Sequence, residues 1–281
     1  MTSTPLQQHA TRTLTAFIEE TDSYEHSNPI HSTEGGQAYG FKAALVPGVT
    51  VYGWAVPDVT TILGPGWFDY GWAEIVLRRP TYPDDLVTIS ADREPDGTCR
   101  FSVVGPGDEL RLSGAAGVGD APWIGELSRP TRLRAEPRIE GDHEPLTLAN
   151  VPIGEDIRPM AIEVTPALAR ATSETRYRTT DPTFVGEQPR IHPAAYVNLT
   201  GLLKHTYAFA PSIHTASRIQ YLRPAQAGQT ITLAAHCVEG YEKRGHGYVT
   251  VDGVMLGEDG LELTRMRHTV IFSVAKPAGR A

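Results

Sequence analysis

His26-Ser27-Asn28-Pro29-Ile30-His31 is followed, seventeen residues after His31, by Gly48 within Val46-Pro47-Gly48-Val49. Asn28-Pro29 reads as a helix entry, because asparagine is a favoured N-cap and proline suits the first helical position, where no backbone donor is needed. Such an entry aims His31 from the start of a short turn or helix. Pro47-Gly48 then opens an apolar run from Val49 to Leu63, read as a buried central helix that Gly53 and Pro57 should kink or end early. A glycine at a helix start offers a bare backbone N–H at the positive end of the helix dipole. Imidazole and free N–H together suit proton transfer beside a polarised carbonyl.

Asn28, Pro29, His31, Gly40-Phe41 and Gly48 together resemble the signature of the MaoC-like (R)-specific enoyl-CoA hydratase and dehydratase family. That signature reads Asp-x-Asn-Pro-x-His, then a small-residue segment ending Gly-Phe, then a Pro/His-Gly helix start. Where the family has its aspartate, this chain has His26. The resemblance implies a hotdog fold and a hydro-lyase that adds or removes water at the 2,3-position of an acyl thioester. It also implies His31 as general acid/base, Asn28 as the group orienting water or imidazole, and the Gly48 N–H as oxyanion donor. His26 would then stand in for the aspartate as the second acid/base. The missing carboxylate leaves two alternatives: another thioester-processing hotdog enzyme (thioesterase, acyl-transfer or decarboxylation type), or a non-catalytic acyl-binding partner subunit.

Beyond the apolar run, Trp72 to Arg79, Leu86 to Asp92, Cys99 to Val104 and Leu110 to Gly117 look like strands. The breaks between them, Pro80 to Asp85 and Pro95-Asp96-Gly97, suggest an antiparallel meander. A helix followed by such a meander predicts an α+β fold, one sheet wrapped around one helix. Leu14 to Glu20 fits a strand or a short helix, and the glycines between Glu34 and Phe41 make a weak helix at best. The aromatics Tyr52, Trp54, Trp67, Phe68, Tyr70 and Trp72 read as core, with an acyl-pocket wall as the alternative.

The second half repeats the first. Tyr177 to Phe184 lies over Tyr24 to His31, Ile191-His192-Pro193 over Val46-Pro47-Gly48, and a helix from Ala194 to Phe209 over the central run. Leu77-Arg78-Arg79-Pro80 matches Tyr221-Leu222-Arg223-Pro224, and Leu86 to Ile89 matches Thr230 to Leu233. Strands follow at Gly247–Val251, Gly253–Met255 and Arg265–Val274. Matching order in two halves predicts a double hotdog: a repeat over 1–119 carrying the motif, a Pro/Gly-rich linker over 120–159, and a repeat over 160–281 with a degenerate motif. Phe184 falls where His31 stands, so one active site per chain is expected, the second half being free to shape the ligand tunnel. His192, at the mirrored helix entry, reads as a cap or surface residue first and a ligand contact second.

Composition narrows the partners. The chain has 281 residues, 40% of them hydrophobic, and a formal charge of −8, which disfavours non-specific nucleic-acid binding. No apolar run approaches the ~20 residues that cross a bilayer, and the polar Met1 to Arg12 carries no signal core, so a cytoplasmic protein is expected. Cys99 and Cys237 have neither CxxC nor zinc spacing and read as buried small hydrophobes. There is no Gly-rich phosphate loop and no metal-ligand spacing, so no cofactor and no metal are expected. The substrate implied is an acyl-CoA or acyl-carrier-protein thioester; Arg78, Arg79 and Arg223 read equally as contacts to its phosphates or as plain exposed strand-end charges. A homodimer of the fused pair is compatible with this reading.

Overall fold

The computed structural model describes residues 7–19, 28–197 and 199–275. The N-terminal segment resolves as strand β1 (His9–Thr15). A 3-10 turn, Pro29–His31, leads into the short helix α1 (Thr33–Ala38) and then into α2 (Gly48–Leu63). α2 runs through both Gly53 and Pro57 without ending. It is apolar on nearly every face, as a helix buried on all sides must be. Arg12 of β1 donates to Asp58 at 2.8 Å and to the Trp54 carbonyl, tying the helix to the sheet edge.

β2 (Gly71–Leu77), β3 (Leu86–Arg93), β4 (Cys99–Gly105) and β5 (Glu109–Val118) follow. Only β3, β4 and β5 form the expected meander. β2 pairs with β5, giving the order β1-β3-β4-β5-β2. The 78–85 connection is therefore a crossover. Arg111 on β5 pins it, donating to the Pro80 carbonyl at 2.8 Å and to buried Asp85 at 3.3 Å.

The second half supplies β6 (Asp156–Val164), α3 (Pro166–Thr175), α4 (Pro182–Val185), a 3-10 turn at Pro193–Val197, and α5 (Thr200–Thr206). Strands β7 (Ile213–Tyr221), β8 (Gln229–Lys243), β9 (His246–Leu256) and β10 (Glu262–Ser273) complete it. Their order, β7-β10-β9-β8-β6, mirrors the first half, and β2 pairs antiparallel with β7 to make one ten-stranded sheet. This is a double hotdog. The seam is polar as well as apolar: Arg218 reaches Glu74 at 3.0 Å, and the buried Gln220 amide donates to the carbonyls of Gly71 and Gly119, both at 3.1 Å.

Three expectations need correction. β6 begins at Asp156, inside the stretch read as linker, because the Asp156 carboxylate gathers Thr131, Arg132 and His236 and draws that chain into the sheet edge. The helix expected over Ala194–Phe209 is a 3-10 turn followed by α5, which stops at Thr206. Beyond it the Ala208 backbone is extended, donating to Glu144 O and accepting from Leu146 N, both at 2.9 Å. The two short runs after Gly247 are one continuous strand, β9. Tyr52, Trp54 and Trp67 are wholly buried in a single apolar core spanning both halves, so they are packing residues and not a pocket wall. Cys99 and Cys237 are buried free thiols, and burial raises both above the usual thiol range.

Candidate active site

A cavity of about 340 Å3 opens where the N-terminal ends of the first-repeat turn and α2 meet the second repeat. Asn28, His31 and Gly48 all line it, so the turn and a helix start seventeen residues beyond His31 converge on one space. His26 lies outside the described residues, as do Asp22 and Glu25, the carboxylates just before the motif.

Asn28 does precede the 3-10 turn, but its side chain does not cap it. It reaches across to the second repeat instead. Its Oδ1 accepts from Ser212 N at 3.2 Å while its Nδ2 donates to Ser212 O at 2.8 Å. An amide that matches a backbone N–H and C=O together is held in one orientation. That orientation leaves Nδ2 at 3.3 Å from His31 Nε2.

The other ring nitrogen of His31 lies 2.7 Å from the Leu45 carbonyl. A carbonyl only accepts, so Nδ1 carries the proton and Nε2 presents a lone pair. Burial is the largest influence on this ring and lowers its proton affinity below the ordinary 6.5. The Leu45 bond works against that, and the positive charge of Lys204 works with it. At neutral pH His31 is therefore an uncharged base whose Nε2 lone pair, among the described residues, faces only the long contact from Asn28 Nδ2.

Gly48 is the first residue of α2, which no side chain caps, so its N–H has no acceptor within the helix. Space at this position is tight as well. A Cβ there would lie 2.4 Å from Leu77 Cδ1 and 3.1 Å from His214 Nδ1. Gly48→Ala should force Leu77 aside and displace the helix start, costing about 1–3 kcal/mol in urea unfolding. An alanine variant of unchanged stability and activity would show that this close approach carries no function.

The opposite wall belongs to the second repeat and was not legible as a site: Thr200, Lys204, Ser212, His214 and His268. Behind the wall runs a hydrogen-bonded chain, His214 Nε2 to Ser217 Oγ at 2.8 Å, Ser217 Oγ to His268 Nδ1 at 2.9 Å, and His268 Nε2 to Thr200 Oγ1 at 3.1 Å. Burial lowers His214 to about 4 and His268 well below the usual imidazole range, so both rings are neutral. Arg78 and Arg79 stand exposed on the cavity wall, whereas Arg223 does not line it. His205 points away, its Nε2 at 2.9 Å from the Glu136 carbonyl.

The mirrored position in the second repeat is packed with aromatic rings, and a separate hollow beside it is lined by Phe68, Asp69, Thr183 and Arg190. Phe184 occupies the place of His31, and its ring lies 4.8 Å from that of His192 and 5.3 Å from that of Phe68. Tyr177 stacks on His192 at 4.1 Å and fills the notch left by Gly53, where a Cβ would come within 2.1 Å of it. An Asp69–Arg190 ion pair lies over Phe68. His192 Nδ1 accepts from Ala194 N at 3.2 Å, the capping role anticipated, but the ring is buried and not on the surface. These residues pack the mirrored position with rings, while other residues of the second half shape the cavity that His31 lines.

No protein-family model matches this sequence, and no curated protein matches it. Solved structures do share its fold. A protein described as a MaoC domain dehydratase from Chloroflexus aurantiacus aligns with a TM-score of 0.66 at 14% identity, covering 96% of each chain. A conserved hypothetical protein from Mycobacterium tuberculosis, described as a double hotdog, aligns at 0.57 and 14% over 86% of each chain. One described as an oleoyl thioesterase from Lactobacillus plantarum aligns at 0.53 and 14%, over 96% of this chain and 97% of that one. At such identities the likeness establishes the double hotdog fold. Chemistry has to be argued from the site.

Proposed function

We propose that the chain is an acyl-thioester enzyme of the hydratase/dehydratase type, adding or removing water at the 2,3-position of its acyl group. One observation carries this reading: His31, an uncharged base, and Gly48, whose N–H has no acceptor within α2, line the same cavity. In the addition direction, water sits against Asn28 Nδ2 and His31 Nε2. His31 takes a proton as the water oxygen bonds to C3, and the electron pair of the double bond moves towards the thioester oxygen. Gly48 N–H and the α2 dipole hold the charge that develops there. The protonated imidazole then returns its proton to C2, so one residue can both accept and donate. His26, proposed as the stand-in for the family aspartate, would share that proton traffic.

A second reading is thioester hydrolysis. It is favoured by the lack of any carboxylate among the described residues of the cavity wall, since attack of water on the thioester carbon needs only a base and an oxyanion donor. Its implied substrate, a CoA or carrier-protein thioester, is the same.

Purified protein incubated with a panel of 2-enoyl and 3-hydroxyacyl thioesters separates the readings. Gain or loss of one water by mass is the expected result. Release of free thiol without a water shift would replace the first reading by the second. Neither change across the panel would leave a non-catalytic acyl-binding subunit.

A further inference from the structure

We propose that Lys204 is the counter-ion of a carboxylate carried on the acyl chain, so that the substrate is a thioester of a dicarboxylic acid. This deepens the reading above and rests on it for the identity of the cavity as an acyl-thioester site.

The argument begins with charge. The protein is acidic, with a formal charge of −8, yet the cavity wall carries Arg78, Arg79 and Lys204 and, among the described residues, no Asp or Glu. A cavity of reversed sign in an acidic protein concentrates anions. The arginines are exposed and have polar neighbours, Arg78 with Ser113 Oγ at 3.1 Å and Arg79 with Glu109 at 3.6 Å. They suit the phosphates of a carrier arm.

Lys204 is different. It is half-buried on α5, and among the described residues no carboxylate lies within ion-pair distance of it. Its recorded contact is with the Phe209 ring, 5.7 Å from Nζ to the centroid. Desolvation lowers its affinity for a proton, and nothing offsets that loss. An unpaired cation held in this way is unfavourable until an anion arrives. Lys204 lines the same cavity as His31, and its charge works against a proton on that ring, which sets it towards the reacting end of the substrate. A carboxylate on the acyl chain answers that position. Its arrival would also relieve the depression that Lys204 imposes on His31.

The test uses the intact protein and pairs of CoA thioesters of equal length, one ending in a carboxylate and one in a methyl group. The wild type should favour the carboxylate member by at least about tenfold in kcat/KM. Lys204→Met and Lys204→Gln should bring that ratio towards one, and Lys204→Arg should keep much of it. Unreactive thioether analogues of the same pairs, titrated by calorimetry, give the ratio in binding, so the inference is tested even if turnover fails. A ratio near one in the wild type, or one unmoved in Lys204→Met, overturns it while leaving the acyl-thioester reading intact. A loss seen equally with both CoA thioesters but absent with phosphate-free pantetheine thioesters also overturns it, assigning Lys204 to the carrier phosphates. If neither analogue binds, the acyl-thioester reading of the cavity falls, and this inference with it.

Discussion

His31→Ala is expected to lower kcat/KM on whichever thioester the protein turns over by about 100- to 10,000-fold, the range for a positioned acid/base group. Folding stability should change by no more than about 1 kcal/mol, since the ring lies at a cavity wall and not in the core. The pH profile supplies an independent check. Burial lowers the His31 proton affinity, so the free base persists as pH falls, and the acid limb of the rate should have its midpoint below the ordinary 6.5. His31→Gln retains a polar side chain near Leu45 but not the titration, so it should lose both the rate and that limb. An alanine variant as active as its parent, measured by steady-state kinetics, would remove His31 from the mechanism.

The second large effect concerns folding. His192 is sealed beneath Tyr177 and Phe184, its Nε2 has no partner among the described residues, and burial lowers its pKa to about 3. The unfolded chain binds a proton near 6.5 that the folded chain refuses. Stability is therefore complete above pH 6.5 and declines as pH falls from there towards 3. At pH 5 this one group should cost about 2 kcal/mol. His214 and His268, also buried and neutral, act in the same direction. His192→Phe keeps a ring in the stack and removes the proton. Its loss of unfolding free energy between pH 7 and pH 5, from urea titrations, should be smaller than the parent's by about 2 kcal/mol. Comparing differences between two pH values cancels the loss of the Ala194 cap. Equal declines in both proteins would mean that His192 titrates normally in the fold.

Much of the fold was legible because it rests on local chemistry. The Val49–Leu63 run reads as a helix from its apolar content, and the β3 to β5 segments announce themselves through alternation and turn residues. What failed was non-local. Nothing in the spacing of β2 says that it pairs with β5 and β7, since a crossover is decided by ties such as Arg111 to Pro80 O and Asp85. The early start of β6 has a similar origin in the contacts of Asp156. The candidate site was half legible for the same reason. Asn28, His31 and Gly48 sit in one motif, but Ser212, which fixes Asn28, is 184 positions away. Lys204 carries no sequence signal at all, since nothing in Thr200–Thr206 separates it from any lysine in the last turn of a helix.

The β2–β7 seam has a consequence for how such a site can evolve. In a dimer of identical hotdogs every substitution appears twice, once on each side of a rotation axis, and a side chain useful in one cleft is imposed on the other. Here the two halves are one chain, joined through Gly71–Val76 and Tyr221–Ala216. Covalent linkage keeps their effective concentration high without demanding a perfect interface. Each position then answers to a single environment. Phe184 can close one cleft while His31 serves the other, and Lys204 can charge one wall without burdening its counterpart. Broken symmetry gives this chain an asymmetric cleft that two equal subunits cannot build.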